Sequence, residues 1–224
     1  MSGVISIVSI DIGLRTLSIY KEYFDYDRAK LIKKPTQLYN KLGEAHDEMK
    51  EYVLKVATCG QAVFLEKKDL GERKDYYSGK ALLNLIDFFD ELEQKDVFRD
   101  VDVIIMEKQL NKNPMATVLM HHIYSWCLIQ YRQFKKVLLY PSKNKTRVLG
   151  APLKEVDERG KASRVDKAFR KKWSTQKTLE ILTVRGDNDT IQYIFKDNKS
   201  KKDDLSDTIT QCLSYHLLKL LKKV

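Results

Sequence analysis

Short apolar runs, each closed by an acidic residue, mark the main strands that the sequence predicts. Residues 4–11 carry alternating, β-branched apolar positions and end at Asp11, and residues 101–107 form a second run that ends at Glu107. Such runs predict β-strands, and the lack of clean alternation in the second run predicts burial on both faces. Further strands are predicted at 17–24, 61–66 and 137–140.

Apolar positions spaced three and four residues apart predict helices in the intervening segments. The predicted helices cover 37–57, 76–92, 114–134, 163–184, 189–196 and 203–222. With strands first, helices late and βα alternation between them, the pattern predicts an α/β fold, a mixed sheet flanked by helices in a single domain over 1–224. Within it we expect a helical insertion at about 28–58 and a basic helical region at about 141–200.

Two further carboxylates, Asp204 and Asp207, stand three residues apart at the start of the last predicted helix. Both therefore project from one face of that helix. Carboxylates from two strands and a helix repel one another unless a cation lies between them. Hard divalent cations such as Mg²⁺ take oxygen ligands, and a pair of them can clamp the attacking and leaving oxygens of a phosphodiester. The pattern therefore indicates a metal-dependent nuclease.

Each of these acids also has a purely structural interpretation. Asp11 could belong to an ordinary turn before Gly13, and Glu107 could be a strand-end charge that reaches solvent. Asp204 and Asp207 could stabilise the dipole of a first helical turn. We prefer metal ligands because an unpaired Glu107 would be costly to bury in a central strand. In addition, the preceding lysines would partly cancel a dipole effect.

The charge distribution adds a polyanionic partner to this picture. The formal net charge is +10, and residues 132–177 alone hold 15 Lys and Arg against four acids, a net of +11. A solvated basic face is the alternative, but beside a predicted metal site the excess is better explained by DNA or RNA. The predicted phosphate contacts are Lys143, Arg164, Lys167, Lys171, Lys201 and Lys202. Of these, Arg164, Lys167 and Lys171 are expected to share one helical face.

The composition favours an intracellular protein. The sequence has no apolar stretch of about 18 residues that would predict a membrane span. The apolar run at 4–11 is short, has no basic lead-in and contains Asp11, so we expect no signal peptide. The three cysteines lack metal-type spacing and are expected to be reduced, buried thiols. A site of DNA replication or recombination is expected, whether a viral factory, the cytoplasm or a mitochondrion.

Three motifs taken together resemble the RuvC-type Holliday junction resolvases. They are residues 9–17 (SIDIGLRTL), 104–109 (IIMEKQ, with Asn113 and Met115 following) and 201–208 (KKDDLSDT). The similarity is greatest to the branch of poxvirus, related large-DNA-virus and yeast mitochondrial resolvases. It implies an RNase H-like fold, a homodimer and paired Mg²⁺-dependent nicks across a four-way DNA junction. On this resemblance, the metal ligands are Asp11, Glu107, Asp204 and Asp207.

The resemblance implies further details of the site. Two Mg²⁺ ions per active site are expected, Mn²⁺ is expected to substitute for them, and the products should carry 5′-phosphate ends. A catalytic lysine should lie near the scissile phosphate, and Lys143 and Lys145 are the candidates, with Lys145 favoured. His216 retains a small chance of a place near the metals, although it lies more than two turns past Asp207.

The dimer is expected to form through the 114–134 helix. Apolar positions along this helix recur at three-to-four spacing and form a wide stripe. The stripe comprises Met115, Leu119, His122, Ile123 and Trp126. Packing of the stripe inside one protomer is the alternative.

Three other function classes remain open from the sequence. An RNase H-like or transposase-like nuclease that cuts RNA–DNA hybrids or branched DNA would share the carboxylates. An actin-like ATPase would need a second phosphate-binding Asp-x-Gly and a chain longer than these 224 residues. A protein that only binds junctions would lack at least one of the four acids, and all four positions are filled.

Overall fold

A five-stranded mixed sheet forms the centre of the fold. The computed structural model describes residues 3–13, 15–109, 113–156 and 161–221. Along the sheet the strand order is β3-β2-β1-β4-β5; β1–β2 and β2–β3 are antiparallel pairs, and β1–β4 and β4–β5 are parallel. The strands are β1 Val4–Ile12, β2 Thr16–Asp25, β3 Gly60–Asp69, β4 Val103–Lys108 and β5 Lys136–Pro141.

Helices cover both faces of this sheet. The described helices are α1 Tyr26–Lys30, α2 Asp47–Ala57, α3 Arg73–Tyr77, α4 Lys80–Gln94, α5 Pro114–Tyr131, α6 Asn144–Arg147, α7 Lys167–Arg185, α8 Asn188–Gln192 and α9 Lys202–Leu221. A π-helical turn at Tyr193–Asp197 and a 3₁₀ turn at Lys199–Lys201 precede α9, whose predicted last residue, 222, lies outside the described residues. A two-stranded hairpin, β6 Lys154–Val156 and β7 Ala162–Arg164, stands apart from the main sheet.

Alternate side chains of the central strands enter two separate cores. On one face Ile7 and Ile105 pack with α2, α7 and α9, and on the other Val8 and Ile104 pack with α4 and α5. Residues Val103 to Met106 are all buried, so the prediction that β4 is buried on both faces is confirmed. The predicted α/β class, a mixed sheet flanked by helices in one domain, is likewise confirmed.

The predicted helix over 37–57 is wrong in its first half. Only Asp47–Ala57 is helical, and an isolated bridge joins Tyr39 to Ala45 before it. The Asn40 side chain accepts hydrogen bonds from the Leu42 and Glu44 backbone amides, which closes a turn that competes with a helix. Gly43 adopts φ +83°, a conformation that ends a helix rather than continuing it. The 28–58 insertion as a unit stays a prediction.

Three further helix boundaries differ from the sequence predictions. The 76–92 helix is two helices, because Gly79 breaks it with φ +76°. The 163–184 helix begins only at Lys167, where Asp166 caps it through Phe169 N, and Arg164 lies in β7. Arg164 therefore does not share a helical face with Lys167 and Lys171. The 189–196 helix ends at Gln192 and continues as the π-helical turn.

Candidate active site

Asp11 and Glu107 lie at the same edge of the sheet, on neighbouring parallel strands. Ile10 of β1 pairs with Met106 of β4, so the two acids that follow lie side by side near the carboxyl ends of their strands. The parallel pairing of β1 with β4 therefore brings together two acids that are 96 residues apart in the sequence.

The last helix brings Asp207 over this edge. One turn beyond Asp207, the Gln211 side chain donates to Ser9 Oγ (3.1 Å) and to the Ile10 carbonyl (3.2 Å), which fixes α9 against β1. Ser174 of α7 donates to Asp207 Oδ1 at 2.8 Å. Asp207 is therefore held from two sides, by its own helix on β1 and by α7.

Lys145 lies among three of the predicted metal ligands. Its Nζ is 2.7 Å from Asp11 Oδ1, 3.0 Å from Asp207 Oδ2 and 3.2 Å from Glu107 Oε1. The residue is only 5% exposed and belongs to α6, which follows β5 at the same edge of the sheet. Lys143, the other candidate, is exposed and forms no ion pair among the described residues. The structure thus brings Lys145, and not Lys143, into contact with the acids.

Burial and crowding shift the pKa values of this group. Burial raises the pKa of Asp11 to about 7; the Lys145 charge opposes this rise, and the neighbouring Glu107 adds to it. For Lys145, burial by itself would lower the pKa, but the charges of Asp11, Asp207 and Glu107 outweigh it and raise the pKa well above its usual range. Lys145 is therefore cationic and offsets the repulsion between the acids.

Asp204 lies beside this group but does not contact Lys145 directly. Thr16, at the start of β2, donates from Oγ1 to Asp204 Oδ2 at 2.8 Å. Burial raises the pKa of Asp204; the Thr16 hydrogen bond opposes the rise, and the charges of Asp203 and Asp11 add to it. Asp203, which the sequence did not single out, forms an ion pair with Lys171. The four predicted ligands are thus neighbours at one edge of the sheet.

The donor set fits a hard divalent cation. All four predicted ligands are carboxylates, the ligand type that Mg²⁺ prefers, and three of them already surround a cationic nitrogen. A second group of potential metal ligands lies fully buried in the core. It comprises Glu22, Cys212 and His216, whose donor atoms lie within 4.8 Å of one another. Glu22 there already pairs with the Arg185 guanidinium at 2.8 Å, so this group belongs to an ion-pair network in the core.

A cleft of about 670 Å³ opens above the acids. Glu107, Asp207 and Lys145 line it, and five further cations surround them. Those cations are Lys108, Lys143, Lys167, Arg170 and Lys171. Of the predicted phosphate contacts, Lys143, Lys167 and Lys171 thus line the cleft, whereas Arg164, Lys201 and Lys202 do not. Positive charge around an acidic floor suits a phosphodiester substrate.

Three polar side chains that orient the acids were not predicted as site residues. They are Thr16 and Ser174, described above, and Gln109, whose Nε2 donates to Glu107 Oε2 (3.2 Å) and to the Ile12 carbonyl (3.0 Å). Gln109 lies within the motif that contains Glu107. Because side chains two residues apart in an extended chain point to the same side, Gln109 could have been expected beside Glu107. Thr16 lies within the motif of residues 9–17, but neither it nor Ser174 could be assigned a partner from the sequence, because their partners are 188 and 33 residues away.

The apolar stripe predicted on the 114–134 helix faces mainly inward. Leu119 and Ile123 are buried in the core between α5 and the sheet, and Trp126 packs against Phe89 and Phe98. A different apolar surface remains exposed along α4 and α5. Its exposed members are Leu83, Ile86, Val118, Leu128 and Ile129. A groove between the two helices, lined by Ile86, His122, Trp126 and Ile129 among others, lies within this surface.

No helix in the described part of the chain is both long and apolar enough to cross a membrane. No protein-family model matches the sequence. Protein 170L of Invertebrate iridescent virus 6 is 33% identical over 156 residues, and protein 97L of Invertebrate iridescent virus 3 is 29% identical over 150 residues; both are described as uncharacterized. The matches cover 65% and 67% of this chain but only 62% of each viral protein, so the chain spans less than two thirds of these relatives.

Two kinds of solved structure resemble the chain along nearly its whole length. RuvC of T. thermophilus, in complex with a Holliday junction substrate, superposes with a TM-score of 0.52 at 9% identity, over 96% of this chain and 95% of RuvC. Fowlpox virus resolvase, in complex with its substrate Holliday junction DNA, gives a TM-score of 0.49 at 18% identity, over 97% and 100% of the two chains. The chain therefore has the RNase H-like fold of RuvC.

Proposed function

We propose that this protein is a metal-dependent endodeoxyribonuclease that resolves four-way DNA junctions. The observation that carries the proposal is the meeting of Asp11, Glu107 and Asp207 around Lys145 Nζ; of these, Glu107, Asp207 and Lys145 line a cleft with a cationic rim. Three acids that are far apart in sequence have little structural reason to share one point, since burying like charges is costly. A site that binds divalent cations and cuts phosphodiesters explains the arrangement.

The roles follow from the contacts. Asp11, Glu107, Asp204 and Asp207 would hold Mg²⁺, and the bound cation would supply an activated water and charge stabilisation for the departing 3′ oxygen, so the products would carry 5′-phosphate ends. Gln109, Thr16 and Ser174 each fix one of these carboxylates by a hydrogen bond. Lys145 would keep a positive charge beside the scissile phosphate and stabilise the charge that develops in the transition state.

The choice of substrate draws on the cationic rim and on the fold. Lys108, Lys143, Lys167 and Arg170 line the cleft and form no ion pair among the described side chains, so their charge is available to DNA phosphates. The structure of RuvC, which has the same fold, contains a Holliday junction. Together these observations favour a branched DNA over a single duplex. An intracellular site of replication or recombination fits this role and stays a prediction.

We further propose that the protein acts as a homodimer. Two symmetric nicks in opposed strands require two active sites related by a two-fold axis. The exposed apolar surface of α4 and α5 is the candidate interface, because Ile86 and Ile129 are 48% and 71% exposed and line one apolar groove between the two helices. This interface uses the predicted helix and adjoins the predicted stripe, whose members His122 and Trp126 line the groove.

The decisive experiment compares cleavage of labelled substrates in Mg²⁺. A four-way junction, an RNA–DNA hybrid and a linear duplex of matched sequence are each incubated with the protein, and nicks are mapped on every strand. Paired nicks placed symmetrically across the junction support the proposal. Preferential cleavage of the hybrid would identify an RNase H-like activity instead. Tight binding to the junction without cleavage in Mg²⁺ or Mn²⁺ would identify a junction-binding protein.

A further inference from the structure

The β6–β7 hairpin is exposed on both of its faces. All six residues of Lys154–Val156 and Ala162–Arg164 are exposed, and Val156, an apolar residue, is 50% exposed. A two-stranded ribbon that buries nothing gains little stability from its own pairing. Its retention in a compact fold is better explained by a contact with another molecule.

Two cations lie directly opposite each other at the base of this hairpin. Lys154 pairs with Arg164 in the antiparallel register, so their side chains lie on the same face. Like charges directly opposite each other destabilise a strand pair. Neither cation forms an ion pair within the part of the chain that the structure describes. An anion outside the chain would offset this repulsion.

The base of the hairpin is fixed to the body of the protein. Leu153 N donates to the Leu42 carbonyl at 2.8 Å, and Val165 N donates to the Leu153 carbonyl at 3.3 Å. The Leu153 side chain packs directly over Gly43, where a Cβ would lie 2.6 Å from Leu153 Cγ. The cation pair beside Leu153 and Val165 is therefore held in place rather than carried on a free arm.

The same cation pair lies close to the active-site cleft. Lys167, which lines the cleft, is three residues beyond Arg164, a span of at most about 11 Å between Cα atoms. Along B-DNA the phosphates of one strand advance about 3.4 Å along the helix axis per nucleotide. The hairpin base and the rim of the cleft can therefore contact the same DNA strand within a few nucleotides of each other.

We propose that the hairpin binds a duplex arm of the DNA substrate, with Lys154 and Arg164 on consecutive phosphates. The inference rests on the proposed nuclease function and adds a second DNA-contact element to it. Alternation along the strands places Val156 and Ala162 on the face of the two cations, and Glu155 and Ser163 on the other face. The DNA therefore meets the Lys154 face, because Glu155 repels phosphates on the other.

The first test measures binding of the full chain to a long-armed junction as a function of salt. The Lys154→Ala/Arg164→Ala double variant should bind more weakly, with a log–log salt slope reduced by about 1.8, corresponding to two lost phosphate contacts. The matched control is Lys80→Ala/Lys136→Ala, which removes two exposed cations, one at the start of α4 and one at the amino end of β5. This control should keep the slope of the wild-type protein.

The second test locates the DNA on the hairpin. A photoactivatable thiol reagent is attached to Val156→Cys or, as the opposite-face control, to Glu155→Cys; the three native cysteines are buried. Crosslinks from position 156 to a duplex arm, and few from position 155, support the proposal. An unchanged salt slope together with equal crosslinking from both faces would overturn it, provided that wild-type protein binds the junction. A wild-type protein that does not bind junctions would instead contradict the proposed function itself.

Discussion

Lys145 Nζ and Asp11 Oδ1 form a buried ion pair of 2.7 Å at the edge of the central sheet. The two residues are 134 positions apart, and Lys145 also contacts Glu107 and Asp207. One cation thus neutralises part of the charge of three buried acids. The stability of the site and its activity therefore depend on the same lysine.

Replacing this lysine tests that dependence. In Lys145→Met, three carboxylates lose their cation, and we expect the free energy of unfolding at pH 8 to fall by about 3–5 kcal/mol. Mg²⁺ should restore more stability to this variant than to the wild-type protein, because a bound cation again neutralises the acids. Urea denaturation with and without Mg²⁺ measures both effects. The exposed neighbour provides the control: Lys143→Met should unfold like wild-type protein, and equal stability of the two variants would contradict the prediction.

The acids themselves should be needed for cleavage but not for DNA binding. Asp11→Asn, Glu107→Gln and Asp207→Asn should each abolish cleavage in Mg²⁺, because each removes a metal-ligand charge. Junction affinity should stay close to that of the wild-type protein, since phosphate contacts come from the cationic rim. Gel-shift and cleavage assays on the same labelled junction separate the two properties. Near wild-type cleavage by any of these variants would rule out the proposed metal site.

Thr16 should act by orienting Asp204. Its hydroxyl donates the 2.8 Å hydrogen bond to Asp204 Oδ2, so Thr16→Val should reduce cleavage and Mg²⁺ affinity by roughly 10–100-fold. Thr16→Ser keeps the donor and should retain most of the activity. Mg²⁺ titrations of cleavage, together with thermal unfolding, distinguish this role from a general loss of stability. Equal activity of the Val and Ser variants would show that the hydrogen bond has no role.

The proposed dimer surface gives a prediction about mass. Ile129 is 71% exposed on α5, so Ile129→Glu should fold normally but dissociate the dimer and uncouple the paired nicks. Trp126→Glu is a poor test, since Trp126 packs on Phe89 and Phe98 within the protomer. Leu31→Glu, at an 87% exposed position following α1, is the control and should remain dimeric. Light scattering at micromolar concentration measures the molar mass in solution. A monomeric wild-type protein that still cleaves junctions would contradict the proposed homodimer.

Acid should destabilise the fold through the pair of Glu22 and His216. His216 Nε2 lies 3.0 Å from Glu22 Oε1, and Tyr26 Oη lies 2.9 Å from His216 Nδ1, so a neutral imidazole donates to Glu22 and accepts from Tyr26. Burial lowers the pKa of His216, although Glu22 opposes the shift. Burial alone would raise the pKa of Glu22, but the Arg185 charge and the hydrogen bonds from His216 and Tyr20 lower it to about 2.

Both shifts have the same consequence for stability. Below the ordinary histidine pKa of 6.5 the unfolded chain binds a proton that folded His216 does not, and below 4.5 the same holds for Glu22. The contribution of these two groups to the free energy of unfolding should therefore fall as the pH drops from 6.5 towards 2, by at most about 1.4 kcal/mol per pH unit for each group. Urea denaturation between pH 7 and pH 5 measures how the free energy of unfolding changes with pH, and this dependence should be weaker in His216→Gln than in the wild-type protein. The exposed His121→Gln control should keep the wild-type dependence. An unchanged dependence in both variants would contradict the role given to His216.

The elements with strong local signals were predictable from the sequence. The apolar runs that became β1 and β4 are long and β-branched, and their acids follow directly, so their positions near strand ends could be inferred. The predicted helix over 37–57 failed where a side-chain turn at Asn40 and the positive φ of Gly43 outweighed the apolar spacing. Arg164 was wrongly predicted to be helical, because α7 begins only after its capping residue Asp166, two residues beyond Arg164.

The sequence by itself determined which acids follow apolar runs and where the positive charge accumulates, because periodicity and charge are local properties of the chain. Only the tertiary structure decided that Lys145, rather than Lys143, contacts the acids, since that depends on how α6 leaves β5. It also decided that Thr16 and Ser174 orient Asp204 and Asp207. Finally, it decided that Leu119 and Ile123 of the predicted α5 stripe pack into the core of the protomer. These contacts join residues far apart in sequence, and only the packing of helices on the sheet brings their side chains within hydrogen-bond distance.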